Sequence, residues 1–165
     1  MQPRLAVVLV SILCTACASL DGFRAFIQPP RFSQADDRPS EIQLTGPTVS
    51  APSGGATIRL WTTVSNPNRF GVTLGTLRAT LHLESSPAAT IDFPMGLPLQ
   101  PEGQADVPID LFVSFQDIPG LSQAITRVVS RQPIAYELEG TIGVSAGAFG
   151  EPVFGPMTLL RGTLR

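Results

Sequence analysis

A mainly β chain, folded as an antiparallel sandwich of about seven strands with one α-helix, is the fold class this sequence predicts. Three observations predict it. Most apolar stretches alternate with polar residues at period two, the pattern of sheets with one buried face and one wet face. Clusters of Gly, Pro, Asn and Ser separate these stretches at regular intervals, as turns between short strands do. A single stretch changes to helical spacing. Short strands, frequent turns and one helix describe a sandwich of the immunoglobulin/fibronectin-III-like kind.

The strands follow in order. Ile42 and Leu44 alternate with Glu41, Gln43 and Thr45 before Gly46-Pro47. Ile58, Leu60, Thr62 and Val64 share one face of the next run, with Trp61 on the other. Leu77, Ala79, Leu81 and Leu83 oppose Arg78, Thr80, His82 and Glu84, and a short run follows at Thr90–Phe93. The clearest strand spans Asp106–Phe115, where Val107, Ile109, Leu111, Val113 and Phe115 point inward. Tyr136, Leu138, Gly140, Ile142 and Val144 define another, and residues 153–164 a last one. Between them Leu121, Ala124, Ile125, Val128 and Val129 recur at helical spacing. Asp117 is placed to cap that helix and Gln132-Pro133 to stop it. Trp61 is expected to pack beneath it.

Ahead of the strands, residues 1–16 read as a secretory signal: one arginine, an apolar run from Leu5 to Leu13, then small residues. That run is too short for a stable membrane span. Thr15-Ala16-Cys17 resembles the lipobox of bacterial lipoproteins, although Cys14 stands where leucine is usual. The resemblance implies that Cys17 carries the lipid and becomes the new N-terminus. Cleavage there leaves Cys17 as the sole thiol, which excludes an intramolecular disulfide or a multi-cysteine metal site. Several acyl chains, at roughly 0.8 kcal/mol per buried CH₂, would make the membrane a near-permanent partner. Ala18 in place of aspartate implies, by lipoprotein sorting rules, an outer-membrane anchor facing the periplasm. Residues 17–40 are read as the lipidated cysteine and a tether, whose Phe23, Phe26, Ile27 and Phe32 either rest on the membrane beside the anchor or, as is expected, pack along the domain of residues 41–165 as an irregular first strand.

Asn66-Pro67-Asn68 ends its strand. Pro67 offers no N–H to a ladder and suits the first inner position of a turn. Asn68 tolerates a left-handed conformation and can bond local backbone, and Gly71 releases the next strand. Strand, Asn-Pro-Asn, turn and then Gly71, Leu74, Leu77 and Leu81 resemble the type 2 late embryogenesis abundant proteins, which share the WHy domain. Val64 fits the same pattern, and Val107-Pro108-Ile109 is similar to the family's second strand signature. The resemblance covers roughly residues 40–165. It implies a seven-stranded sandwich with one helix, no cofactor, no catalytic residues, and an association with desiccation and other stresses. Bacterial members often carry a lipoprotein signal.

Chemistry is thinly supplied. The chain has 165 residues, a net charge of −2, and eleven cations that are all arginine, with no basic stripe to attract nucleic acid. His82 is the only histidine and sits on a polar strand face, so no triad or histidine-based metal site is expected. Asp106 and Asp110 share an outer face, as do Glu137 and Glu139. Only if their strands were neighbours could the four hold calcium, and solvated faces are the expectation. The reading is a non-enzymatic, lipid-anchored envelope protein whose folded surface protects in water stress. The alternative is a module that binds an apolar ligand or client proteins in the envelope.

Overall fold

The computed structural model describes residues 26–116, 126–127, 130 and 132–164. Eight strands lie among them: β1 (Arg31–Gln34), β2 (Glu41–Thr45), β3 (Gly55–Ser65), β4 (Val72–Leu83), β5 (Ser86–Leu99), β6 (Gln104–Ser114), β7 (Ile134–Ser145) and β8 (Val153–Leu164). All pairings are antiparallel. β3 is the spine of the first sheet, with β6 along one side and β1 and β2 sharing the other. The second sheet runs β5-β4-β7-β8.

β1 and β2 are two pieces of one edge. Arg31–Gln34 pair with Ser65–Thr62, and Glu41–Thr45 pair with Arg59–Gly55. Residues 36–40 loop out between them. In that loop Arg38 turns back so that its guanidinium lies 4.4 Å from the Trp61 ring centroid, and Trp61 Nε1–H donates to Glu41 Oε1 at 3.2 Å. The described cover over Trp61 is therefore an arginine. The helix expected there falls almost wholly outside the described residues. Thr126 and Arg127 are helical, and the Ser130 N–H donates to the Thr126 carbonyl at 2.9 Å.

Residues 26–40, read from the sequence as the later part of a tether, pack against the sandwich. Ile27 and Ala35 are buried, Phe32 rests on the core, and Phe26 points into solvent. The inward faces are those the alternation predicts. Ile58, Leu60, Leu74, Leu77, Leu81, Ile109, Leu111, Leu138 and Ile142 are all at most 2% exposed and fill the space between the sheets. Gly140 shows how close the second sheet packs: it faces Ala79 across the β4–β7 ladder, and a Cβ there would overlap the Arg78 carbonyl oxygen.

β5 is much longer than the Thr90–Phe93 run that alternation marks, because Pro87, Pro94 and Pro98 obscure the pattern. They are tolerated because β5 is an edge strand paired only with β4, where a missing N–H can face away from the ladder.

The register fixes which connections share an end. β3 finishes and β4 begins at the end where β1 begins, and the β5–β6 and β7–β8 connections lie there too. The N-terminal segment enters the sandwich at this end. At the opposite end lie the β2–β3 loop, the β4–β5 hairpin at Glu84-Ser85 and the C-terminal Leu164.

Candidate functional site: the asparagine clamp

The connection from β3 to β4 is where the sequence concentrates its family signature. It does not make a hairpin. It carries the chain from one sheet to the other, because β3 and β4 pair with different partners. Such an arch strands backbone polar groups at the edge of the core, and they must find partners there.

Asn66 and Asn68 supply them. Both are buried, at 2% and 4% exposure. The Asn66 side-chain amide donates to the carbonyls of Phe70 at 2.8 Å and Gln100 at 2.9 Å. Its Oδ1 accepts from the Asn68 backbone N–H at 3.0 Å and from Asn68 Nδ2 at 2.9 Å. The Asn66 backbone N–H donates to the Gly103 carbonyl at 2.8 Å. Four bonds to one side chain use its full donor and acceptor capacity.

Asn68 reaches the other way. Its Oδ1 accepts from the Gln28 backbone N–H at 2.8 Å and its Nδ2 donates to the Gln28 carbonyl at 2.9 Å. The side chain thus imitates the backbone of a neighbouring strand, pairing both polar groups of one residue in the incoming segment. Its own carbonyl accepts from the Glu102 N–H at 2.9 Å. Asn66 and Asn68 together join the N-terminal segment, the β3–β4 arch and the β5–β6 turn.

The turn reading of the motif is refined accordingly. Asn68 is not among the residues of positive φ, so its value lies in its side chain and not in left-handed backbone. Gly71 is exposed and also lacks a positive φ, and a Cβ there would meet only ordinary contacts. Pro67, half-buried, sits between the two amides. Sequence reasoning located the motif but missed Gln28, Gln100 and Gly103 as its partners. Only Gly103, beside Pro101 and Glu102, carried a local signal, that of a turn.

The residues weighed for chemistry lie apart. Asp106 and Asp110 are on the first sheet; Glu137 and Glu139 are on the second. Asp110 accepts from Arg59 Nε at 2.7 Å and Nη2 at 2.9 Å, and this hydrogen bonding holds its carboxyl below the ordinary range. Asp106 accepts from Thr63 Oγ1 at 2.6 Å. Glu137 accepts from Arg161 Nη2 and Thr158 Oγ1, each at 2.8 Å, and is lowered first by the arginine and then by the threonine. His82 stands opposite Glu137 on an outer face. Among the described residues no group of three or more metal-ligating side chains converges, and no described helix is long and apolar enough to cross a membrane. Cys17 lies outside the described residues.

An arch closed by paired asparagines, joining two antiparallel sheets, marks a structural class. A family model for late embryogenesis abundant protein matches residues 62–156, more than half of the chain, and the protein belongs to that family. A solution structure of an Arabidopsis thaliana protein is similar at 18% identity with a TM-score of 0.56, covering 84% of this chain and 83% of that one, which shows a shared fold. A crystal structure of a protein from Archaeoglobus fulgidus is 12% identical with a TM-score of 0.44, covering 77% of this chain and 94% of that one. A structure described as a late embryogenesis abundant protein is 15% identical with a TM-score of 0.47, covering 98% and 84% respectively. No curated protein matches in sequence.

Proposed function

We propose that this chain is a non-enzymatic envelope lipoprotein, held by lipid on Cys17, that presents a stable folded surface protecting neighbouring molecules when water is withdrawn. The observation that carries the reading is the clamp itself. The family's signature residues are consumed in holding an arch and an incoming segment, and the family is the source of the stress association. Protection by this chain would come from a folded surface, since the described strands bury their inward side chains in a core. A disordered protectant would be far more charged than the 15% seen here.

The strand order supports the finer fold reading. β2, β3 and β6 form one sheet and β5, β4, β7 and β8 the other, an arrangement like that of fibronectin-III-type sandwiches, with β1 an addition on the β2 edge.

The second reading, an envelope binding module, is favoured by the exposed apolar side chains at both ends of the molecule. With the inward side chains of the described strands buried, such a module would bind on its surface. Drying and rehydrating a dehydration-sensitive enzyme with this protein, against an equal mass of an inert folded protein, separates the two. Better recovery of activity supports protection. Recovery equal to the control makes surface binding the leading account.

A further inference from the structure

The end of the sandwich that receives the N-terminal segment is also its aromatic end. Phe26 is 76% exposed where the described chain begins. Beside it Ile27, Phe70 and Phe149 line an apolar depression of about 210 Å³. Phe70 and Phe149 meet at 5.6 Å between ring centroids, and Phe149 is still 46% exposed. Val153, 70% exposed, starts β8 at the same end. Leu44, Val49 and Phe112 are exposed at the opposite end, but it is here that Phe26, Phe70 and Phe149 surround one depression, and such an apolar cluster marks an interaction surface.

The chain itself indicates which surface would cover it. The Asn68–Gln28 pair pins the incoming segment two residues after Phe26, so whatever holds the N-terminus holds this end of the sandwich. Eight residues lie between Cys17 and Phe26, and the nine steps along the chain reach at most about 30 Å fully extended. A lipid on Cys17 therefore keeps the aromatic end within about 30 Å of the bilayer and makes it the end nearer the anchor. Arg69, whose side chain is 94% exposed and only loosely paired with Glu102 at 3.8 Å, adds a cation beside Phe70.

We propose that this end, led by Phe26 and the Phe70–Phe149 pair, seats in the interface of the membrane that carries the anchor, so that the sandwich stands with its opposite end outward. The proposal rests on the lipoprotein reading. Partial insertion of aromatic side chains at the headgroup boundary adds apolar contact to an anchor that would otherwise leave the domain free to turn.

The test uses the full chain, purified from bacteria fed labelled palmitate and reconstituted in vesicles of phosphatidylethanolamine and phosphatidylglycerol. Two single-cysteine labels are compared: Ala148→Cys in the β7–β8 turn and Val49→Cys at the opposite end. Both positions are exposed, so neither substitution disturbs the core. Lipids brominated near the headgroup should quench the fluorophore at 148 several-fold more than the one at 49. Phe26→Ser together with Phe149→Ser should abolish most of that difference. Equal quenching at both positions in palmitate-labelled protein overturns the proposal and leaves the anchor standing. A label at 148 that is blue-shifted but not quenched by brominated lipid assigns the surface to a second copy or to the chain's own leading segment, and also overturns it. Absence of palmitate, with Cys17 itself then reacting with the fluorophore, overturns the lipoprotein reading instead.

Discussion

The entry end and the outer sheet faces of this protein both bind polar groups together, by opposite means. At the entry end, two buried amides satisfy backbone groups from residues 28, 68, 70 and 100. On the outer faces, exposed arginines meet carboxylates across neighbouring strands: Arg59 with Asp110, Arg78 with Asp92, and Arg161 with Glu137. The first arrangement is costly to disturb, because a lost partner leaves a desolvated donor or acceptor behind. The second is cheap, because water replaces either partner. The difference accounts for a family signature made of asparagines at an arch while the charged faces carry none of it.

The largest effect should come from Asn66→Asp. It places a carboxylate against the Phe70 and Gln100 carbonyls, with no donor to offer them. We expect a loss of about 4 kcal/mol at neutral pH, against about 3 kcal/mol for Asn66→Ala, measured by urea unfolding. The introduced acid would have its folded-state pKa raised. Its neutral form persists below the unfolded value, so the penalty should shrink as pH falls through the raised value. A penalty that does not depend on pH would mean that the amide hydrogens are not what matters.

Asn68→Ala is next, at about 1–2 kcal/mol, since the Gln28 groups it serves are only partly buried. Its signature should be regional: protease should cut near residue 28 faster, with β4 and β7 unaffected. Uniform loss of protection across both sheets would show that the clamp supports the whole sandwich.

The outer faces should give the smallest effects. Asp110 and Glu137 have folded-state pKa values below their ordinary ones, so their contribution is present at neutral pH. It is lost as pH falls through about 4 and below, where the carboxylates protonate. Asp110→Asn should therefore change stability little at pH 7 and flatten the acid limb of the stability curve. An effect at pH 7 as large as that of Asn68→Ala would erase the contrast between the two regions.

Much of the fold was legible in the sequence because most strands bury one face. β2 has the Glu41–Thr45 bounds that the alternation marks, although Leu44 is exposed and only Ile42 rests on the core, and the inward residues of β6 and β7 are those read from period two. Legibility failed where an edge relaxes the rules. Three prolines hid most of β5, and Pro29-Pro30 with Asp36-Asp37 left the bounds of β1 unreadable within a segment expected only to pack along the domain as an irregular first strand. The clamp was half legible. Asn-Pro-Asn announced a strand end, but its partners lie up to 40 residues away, and an amide bonding distant backbone leaves no local pattern.

The most direct test of the account is amide hydrogen exchange at Gln28 in the wild-type protein and in Asn68→Ala. The clamp predicts a protected Gln28 N–H in the wild type, with that protection lost in the variant while the Leu77, Leu81 and Ile142 amides exchange as before. Unchanged protection at Gln28 in the variant would contradict the claim that Asn68 holds the incoming chain.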